Sequence, residues 1–241
     1  MKLKTKNLLT LAELTPKEFL GLIDESIKLK KELKGKGNKS VLKNKTLTMI
    51  FQKPSTRTRV SFEAGMYQLG GHAINLSSDD MQLSRGESIE DTAKTLSRYT
   101  NCIMARVYDH ELLEKLSEHS SVPVINGLSD TFHPCQILAD FMTIKEKKKK
   151  LKGLKITWIG DGNNVCNSMI YGAALSGVKI SIATPKGFEP NKTIVKDAKK
   201  LTTVELTTDP FVAVKNADVV VSDTFSSIHN LDKKRLKKFL P

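Results

Sequence analysis

The sequence predicts an α/β protein made of two doubly wound domains, each with a parallel sheet flanked by helices. Short apolar segments typical of buried strands alternate with longer segments of helical periodicity. This alternation occurs twice, before and after a run of lysines at 147–150. Hydrophobic residues make up 39% and charged residues 27% of the 241 residues, which is ordinary for a folded globular chain. The predicted domains are therefore 1–150 and 151–241.

The first domain begins with a predicted amphipathic helix over 11–33, where Thr15, Pro16 and Glu18 match the pattern of a capped helix start. Strands are predicted at 46–51, 73–76, 102–107 and 122–126. Helices are predicted at 56–69, 88–100, 109–119 and from 133 to the lysine run, and 77–87 is predicted to be a polar loop.

The second domain repeats the pattern without a recognisable sequence repeat. Strands are predicted at 154–159, 178–183, 204–206 and 218–222, helices at 165–176, 191–201 and 231–240, and a helical turn at 210–215. Parallel sheets of this kind bind ligands at the carboxyl ends of their strands, so residues at strand ends and helix starts are the candidates for a site.

The charge distribution favours a small anion over a nucleic acid as the ligand. Lysine and arginine total 39 against 26 acidic residues, a formal net charge of +13, which raises nucleic-acid binding as an alternative. Only six of the 39 are arginines, and five of these lie between positions 57 and 106. Arginine holds oxyanions in two-point contact, which scattered lysines do not. Surface salt bridges remain the alternative, above all for Arg59 and Arg98.

Other features bear on location and cofactors. No apolar run approaches the roughly 18 residues of a membrane span, and no signal peptide is recognisable. The cysteines at 102, 135 and 166 are far apart, which favours a reducing cytoplasm over a disulfide framework. The five histidines show no i, i+4 pairing. We therefore expect no metal, no cofactor and no membrane partner.

The segment at 55–58 has the parts of a phosphate cradle. Ser55, Thr56, Arg57 and Thr58 open a predicted helix directly after a strand. The N-terminus of a helix offers free N–H groups and a positive dipole end, and the hydroxyls and guanidinium add donors. The segment is not a Walker loop, and an ordinary helix cap is the alternative.

Other residues are expected at the same sheet edge. Arg106 ends a strand, His133 precedes a helix, and Gln136 follows one turn later. With Arg57 they are predicted to surround one pocket. For His133 the alternative is that it only caps its own helix.

The second domain carries a turn at 160–164 that superficially resembles a dinucleotide fingerprint. Position 165 is Val where a third glycine is required, and no acidic residue follows about 20 residues later, so NAD binding is excluded. Instead, its two asparagine amides suit a carboxylate. Asp223 and Ser227 follow the strand at 218–222 and suit an ammonium group.

Together these motifs resemble the aspartate/ornithine transcarbamylase family, most closely its ornithine branch, along the whole chain. The matching stretches are 55–59 with 61–63, Gln82 with 84–87, Arg106 with His110, the His-Pro-Cys-Gln of 133–136, and 161–164. The lysine that the aspartate branch has in its mobile loop is missing from 82–87.

The resemblance implies a two-domain, trimeric enzyme that moves the carbamoyl group of carbamoyl phosphate to the δ-amine of L-ornithine, giving citrulline and phosphate. It implies that carbamoyl phosphate is bound by Ser55, Thr56, Arg57, Thr58, Arg106, His133 and Gln136. Gln82 would reach a neighbouring subunit's site. Ornithine would be held by Asn164, Asp223, Ser227 and Ile228. Arg57, Arg106 and His133 would be catalytic.

Two departures from the family pattern keep alternatives open. Ile228 and His229 replace a Met-Gly pair, so another amine such as putrescine is an alternative acceptor. The family continues beyond the position of Pro241 into a His-Cys-Leu-Pro segment, an arginine and a C-terminal helix. We therefore expect the second domain to be incomplete, and a catalytically inactive relative is a further alternative.

Overall fold

The structure, a computed structural model, describes residues 3–77, 79, 81–224 and 237–239. These residues form two compact units. The first runs to Leu14 and continues from Gly21 to Cys135, and the second contains Thr15–Leu20 and continues from Gln136. Two helices therefore pass from one unit into the other, namely α1 (Pro16–Lys34) and α5 (Pro134–Lys148).

The first unit is built on a four-stranded parallel sheet in the order β2-β1-β3-β4. Its strands are β1 (Thr46–Phe51), β2 (His72–Ser77), β3 (Cys102–Arg106) and β4 (Val124–Leu128), and its helices are α2 (Thr56–Gln68), α3 (Ile89–Tyr99) and α4 (His110–His119). All strand pairs are parallel.

The second unit holds another four-stranded parallel sheet, in the order β7-β6-β5-β8. Its strands are β5 (Lys155–Ile159), β6 (Lys179–Ala183), β7 (Val204–Thr207) and β8 (Val219–Ser222), and its helices are α6 (Asn164–Ser176), α7 (Lys192–Ala198) and α8 (Pro210–Val214). In both sheets the strand order reverses beside the first strand, as in doubly wound folds. The predicted fold class is confirmed.

Most predicted elements match the structure to within one residue at either end, and three differ by two residues or more. The first helix begins at Pro16 and not at 11, because Thr15 and Glu18 cap it with hydrogen bonds of 2.8 Å (Thr15 N to Glu18 Oε2) and 3.3 Å (Glu18 N to Thr15 Oγ1). The strand predicted at 122–126 lies at 124–128. The helix predicted at 191–201 ends at Ala198. The predicted helix at 231–240 lies outside the described residues except for 237–239, which are helical.

Helix α6 forms the centre of the second unit, with eleven of its thirteen residues buried. Trp158 of β5 is fully buried, and its indole N–H donates to the backbone oxygen of Asp161 at 3.0 Å. Gly172 packs so tightly that a Cβ there would lie 2.7 Å from Ile137 and from Phe141. The strand end and helix start that border the 160–164 turn therefore rest on a rigid core.

Helix α2 differs from the other helices of the first unit because none of its residues is buried. Val60 is 57% exposed and Tyr67 is 82% exposed, and Ile74 on the neighbouring edge strand β2 is 38% exposed. Among the described residues, no helix is long and apolar enough to cross a membrane.

Candidate active site

Strand pairing places Arg106 beside the 55–58 segment. In the sheet register Arg106 is the partner of Phe51, so β1 and β3 end together. The Gln52 N–H donates to the Arg106 carbonyl at 2.9 Å, and the Gln52 side chain accepts from the Tyr108 N–H at 3.0 Å. These bonds fix the chain between β1 and α2 against the end of β3.

Ser55 shapes the start of α2. It has an extended backbone, and its hydroxyl oxygen accepts from the Thr58 N–H at 3.3 Å, as an N-cap does. The Ser55 hydroxyl also donates to the Thr58 hydroxyl at 3.0 Å. A guanidinium N–H of Arg106 donates to the same Thr58 oxygen at 3.3 Å. Three of the predicted anion ligands are thus in direct contact.

Among the described residues, no carboxylate is recorded as a partner of the two guanidinium groups at this helix start. Burial lowers the pKa of Arg106, and the charge of Arg57 lowers it further. The Arg106 Nε is buried and has no hydrogen-bond partner among the described residues. A half-buried cation that faces a second cation is costly unless an anion joins them. The arrangement is suited to a small, multiply charged anion such as a phosphate group.

Helix capping and surface ion pairing, the alternative interpretations of the residues at 55–59, are partly correct. Ser55 does cap α2, so capping and anion binding draw on the same residue. Arg59 forms an exposed i, i+4 ion pair with Glu63 at 2.9 Å, which is the surface role expected from the alternative interpretation. Thr56 and Arg57 are exposed at the first turn of the helix.

The remaining first-domain candidates lie on two further elements. His133 directly precedes α5, and Gln136 lies in the first turn of that helix. Gln82 is exposed and begins a 3-10 helix at Gln82–Arg85, within the stretch predicted to be a loop.

In the second unit, an asparagine and an aspartate meet at the sheet edge. Asn163 caps α6, since its side-chain oxygen accepts from the N–H groups of Val165 and Cys166 at 3.0 Å each. Its amide nitrogen donates to the Asp223 carboxylate at 3.0 Å. Asp223 follows β8 directly, so the cap fixes a carboxylate at the end of that strand.

A second carboxyl of this unit, that of Asp140 on α5, is perturbed. Its pKa is raised to about 6, chiefly by burial and to a smaller extent by the negative charge of Asp223, while the Gln136 side chain acts in the opposite direction. Two carboxyl groups in electrostatic contact attract a cation, so this region is suited to an ammonium group.

Sequence reasoning missed Asp140 and named other residues that the structure does not describe. The i, i+4 spacing of Gln136 and Asp140 on a helix is a signal that could have pointed to Asp140. The Asn163 amide was predicted to suit a carboxylate, and in the structure it donates to the carboxylate of Asp223. Asn164 is the first residue of α6, beside the cap. Ser227 and Ile228 lie outside the described residues.

The part of the chain that the structure describes contains no group of three or more His, Cys, Asp or Glu side chains that could hold a metal ion. All three cysteines are free thiols. Burial raises the pKa of Cys102 to about 11 and that of Cys135 to about 12, so neither thiol is set up as a nucleophile.

Comparison with known proteins identifies both domains. Residues 6–146 match the carbamoyl-phosphate-binding domain of aspartate/ornithine carbamoyltransferases, and residues 152–241 match the Asp/Orn-binding domain. An ornithine carbamoyltransferase of Cenarchaeum symbiosum is 60% identical over 241 residues, which is 100% of this chain and 79% of that protein. One from Methanosarcina acetivorans is 49% identical over 237 residues, 97% of this chain and 78% of that protein.

Solved structures agree with this relationship. The ornithine carbamoyltransferase of Pyrococcus furiosus superimposes with a TM-score of 0.94 at 46% identity, covering 99% of this chain and 79% of that one. The enzyme of Thermus thermophilus gives a TM-score of 0.89 at 41% identity, covering 98% and 77%. The resemblance inferred from the sequence motifs is confirmed, and the chain belongs to the aspartate/ornithine carbamoyltransferase family.

Proposed function

We propose that this chain transfers the carbamoyl group of carbamoyl phosphate to the δ-amine of L-ornithine, giving L-citrulline and phosphate. The observation that carries this proposal is the pair of guanidinium groups at the start of α2, where Arg106 contacts Thr58 and experiences the charge of Arg57. The high identity to ornithine carbamoyltransferases supports the same reaction.

The reaction needs positioning and charge stabilisation more than a covalent nucleophile. The neutral δ-amine attacks the carbonyl carbon and a tetrahedral oxyanion forms. The carbon–oxygen bond to phosphate then breaks, and the proton that the amine nitrogen loses leaves with the phosphate. In our proposal Ser55, Thr56 and Arg57 hold the phosphate and make its departure easier by neutralising its charge. Thr58, Arg106 and His133 direct donors at the carbonyl oxygen. Removing one donor of this kind typically raises a barrier by ~2.7–4 kcal/mol.

The domain functions follow the same division. We propose that residues 1–150, which include Gln136, form the carbamoyl-phosphate domain. Residues 151–241 form the ornithine domain. The hydrogen bond from Asn163 to Asp223 supports the second assignment, because it fixes a carboxylate that an α-ammonium group can approach. Asn164, Ser227 and Ile228 complete the proposed ornithine ligands.

We propose that the chain assembles as a homotrimer in which Gln82 reaches a neighbouring subunit's site. The support is the surface of α2 and β2, where Val60, Tyr67 and Ile74 are exposed and where α2 has no buried residue. Light scattering after gel filtration should give three times the 26.8-kDa chain mass, about 80 kDa. A mass of one chain at micromolar concentration would contradict the trimer.

The proposed location is the cytoplasm, which the three free thiols support.

The activity itself is tested by a colorimetric assay for the carbamoylated product with ornithine and with putrescine as acceptors. Ornithine is expected to be the better acceptor, and product with putrescine alone would overturn the proposed substrate.

The assay includes Arg57→Lys and a matched control, Arg59→Lys. Arg57→Lys is expected to lose carbamoyl-phosphate binding with the fold kept, since lysine cannot make the two-point contact. Arg59→Lys lies on the same helix and alters an exposed ion pair, so it should retain activity. Equal behaviour of the two variants would refute the role given to Arg57.

A further inference from the structure

The turn at 129–132 follows β4 and leads directly to His133. The N–H of Ser129 donates to the Phe132 carbonyl at 2.9 Å, and the N–H of Phe132 donates to the Ser129 hydroxyl oxygen at 3.1 Å. Ser129 is fully buried, so its hydroxyl group must find its partners within the protein. The conformation of the turn therefore depends on the groups that bond to this hydroxyl.

His110 is the first residue of α4 and contacts three residues of this turn. Its ring nitrogen Nδ1 lies 2.8 Å from the Ser129 hydroxyl oxygen, and its backbone N–H donates to the Asp130 carboxylate at 3.2 Å. Its ring also packs edge-on against Phe132, with 5.0 Å between the ring centroids. All of these residues belong to the first unit. The His110 side chain is 12% exposed, so the ring fastens the turn to α4 from a largely buried position.

The hydrogen bonds of Ser129 determine which ring nitrogen of His110 carries the proton. A hydroxyl group has one proton to donate and two acceptor positions. The Ser129 oxygen accepts from the Phe132 N–H at 3.1 Å and from the Asn126 side-chain amide at 3.4 Å. Its proton has a choice between His110 Nδ1 at 2.8 Å and the Phe132 carbonyl at 3.4 Å, and the shorter bond is the stronger. Nδ1 is therefore an acceptor, which requires a neutral ring with its proton on Nε2.

Protonation of His110 is incompatible with this set of hydrogen bonds. A charged ring carries a proton on Nδ1, so the Ser129 oxygen would have to accept a third bond and turn its own proton to the Phe132 carbonyl. Burial lowers the pKa of His110, which favours the neutral ring. The charged groups that act in the opposite direction lie on α4, at its cap and on the turn, and they are Glu114, Asp109 and Asp130. The neutral ring is therefore the form that fits the turn, and acid converts it to the form that does not.

We propose that neutral His110 is a positioning residue that holds the 129–132 turn, and with it the His133 side chain, in the conformation that binds the carbamoyl group. This inference deepens the proposed function and rests on it, because His133 is there given the task of directing a donor at the carbonyl oxygen. Inorganic phosphate has no carbamoyl group. A displaced turn should therefore weaken the binding of carbamoyl phosphate and leave that of inorganic phosphate unchanged.

The experiment measures the affinities of carbamoyl phosphate and inorganic phosphate at pH 7.5 by calorimetric titration of the whole chain. His110→Phe keeps a ring against Phe132 but has no acceptor for the Ser129 hydroxyl. Its affinity for carbamoyl phosphate is expected to fall by about 3- to 10-fold, the equivalent of one hydrogen bond, while that for inorganic phosphate stays within about 2-fold. His110→Gln supplies an acceptor oxygen and should restore most of the loss.

Equal losses for both ligands in His110→Phe would show a merely structural role and overturn the inference, as would an unchanged affinity for carbamoyl phosphate. A loss in His110→Gln as large as that in His110→Phe would also contradict it, because the acceptor would then not matter. If the wild-type chain binds inorganic phosphate but not carbamoyl phosphate, the proposed function itself fails.

The pH dependence gives a second readout. Because the pKa of His110 is lowered, its ring becomes charged below the ordinary histidine value of about 6.5. As pH is lowered from 7.5 to 5.0, the wild-type chain should lose about 3-fold or more in carbamoyl phosphate affinity relative to His110→Gln, which cannot titrate. His119→Gln, at the other end of α4, is the matched control and should follow the wild type. Identical pH profiles of the wild type and His110→Gln would refute the inference.

The ring itself can be observed without a ligand. In ¹⁵N NMR of the ligand-free chain at pH 7.5, the His110 imidazole should be neutral, with its proton on Nε2. A proton on Nδ1 at this pH would overturn the inference whether or not the chain transfers carbamoyl groups, so this measurement separates the failure of the inference from the failure of the proposed function.

Discussion

Replacing Arg106 by Met separates the function of this side chain from its effect on stability. Arg106 is a half-buried cation that donates at 3.3 Å to Thr58, and its buried Nε has no hydrogen-bond partner among the described residues. Met fills a similar space without charge. The substitution therefore removes one anion ligand from the cradle without opening a large cavity.

The contacts of Arg106 set the expected size of both the affinity loss and the stability loss. A hydrogen bond to a charged group contributes about 1.5–3 kcal/mol, so carbamoyl phosphate affinity should fall by about 10- to 150-fold. Without ligand, the variant loses the bond to Thr58 but also the burial of a cation and its repulsion by Arg57. The free energy of unfolding should therefore fall by no more than about 1 kcal/mol.

The assay pairs calorimetric titration of carbamoyl phosphate with urea denaturation of the ligand-free chain. Arg59→Met is the matched control. The exposed ion pair of Arg59 with Glu63 should contribute less than about 1 kcal/mol to stability, and Arg59 is not among the proposed ligands. Unchanged affinity in Arg106→Met, or a stability loss of several kcal/mol, would refute the view that this arginine is held for the ligand.

Three further predictions concern other parts of the chain. Asp223→Asn should weaken ornithine binding about 10-fold or more and leave carbamoyl phosphate affinity nearly unchanged in titrations, and parallel losses would refute the division of roles. Gly172→Ala should lower the free energy of unfolding measured by urea denaturation by about 1–3 kcal/mol, because the new Cβ would lie 2.7 Å from neighbouring side chains, and an unchanged free energy would contradict the packing. Cys102 and Cys135, with pKa values of about 11 and about 12, should react slowly with maleimide at pH 7.5, whereas fast labelling of either thiol would show it ionised.

The features that the sequence predicted well depend on local patterns. Strand β1 is predicted at 46–51 and lies there, because this short stretch of apolar residues and threonines, with Pro54 shortly after it, is typical of a buried strand. The cap of α1 was visible as Thr15 with Glu18 three residues later, and both hydrogen bonds of the capping box are present. Arg106 at the end of a strand was predictable for the same reason.

The features that were missed depend on contacts between distant segments. Strand β4 is shifted by two residues from its predicted position, because it pairs with β3 from Val124 to Leu128. The N-terminal segment also pairs with it: Leu8 donates to the Val124 carbonyl and accepts from the Asn126 N–H, both at 2.9 Å. The hydrogen bond from Asn163 to Asp223 joins residues 60 positions apart. The periodicity of a sequence does not indicate which residues far apart in the chain are in contact.

The most direct test of carbamoyl transfer follows the carbonyl carbon of ¹³C-labelled carbamoyl phosphate by NMR in the presence of ornithine. If the chain transfers the carbamoyl group to ornithine, the label should appear in the ureido carbon of citrulline at the same rate as phosphate is released. Phosphate release with the label found only in bicarbonate or cyanate, at any ornithine concentration, would contradict it.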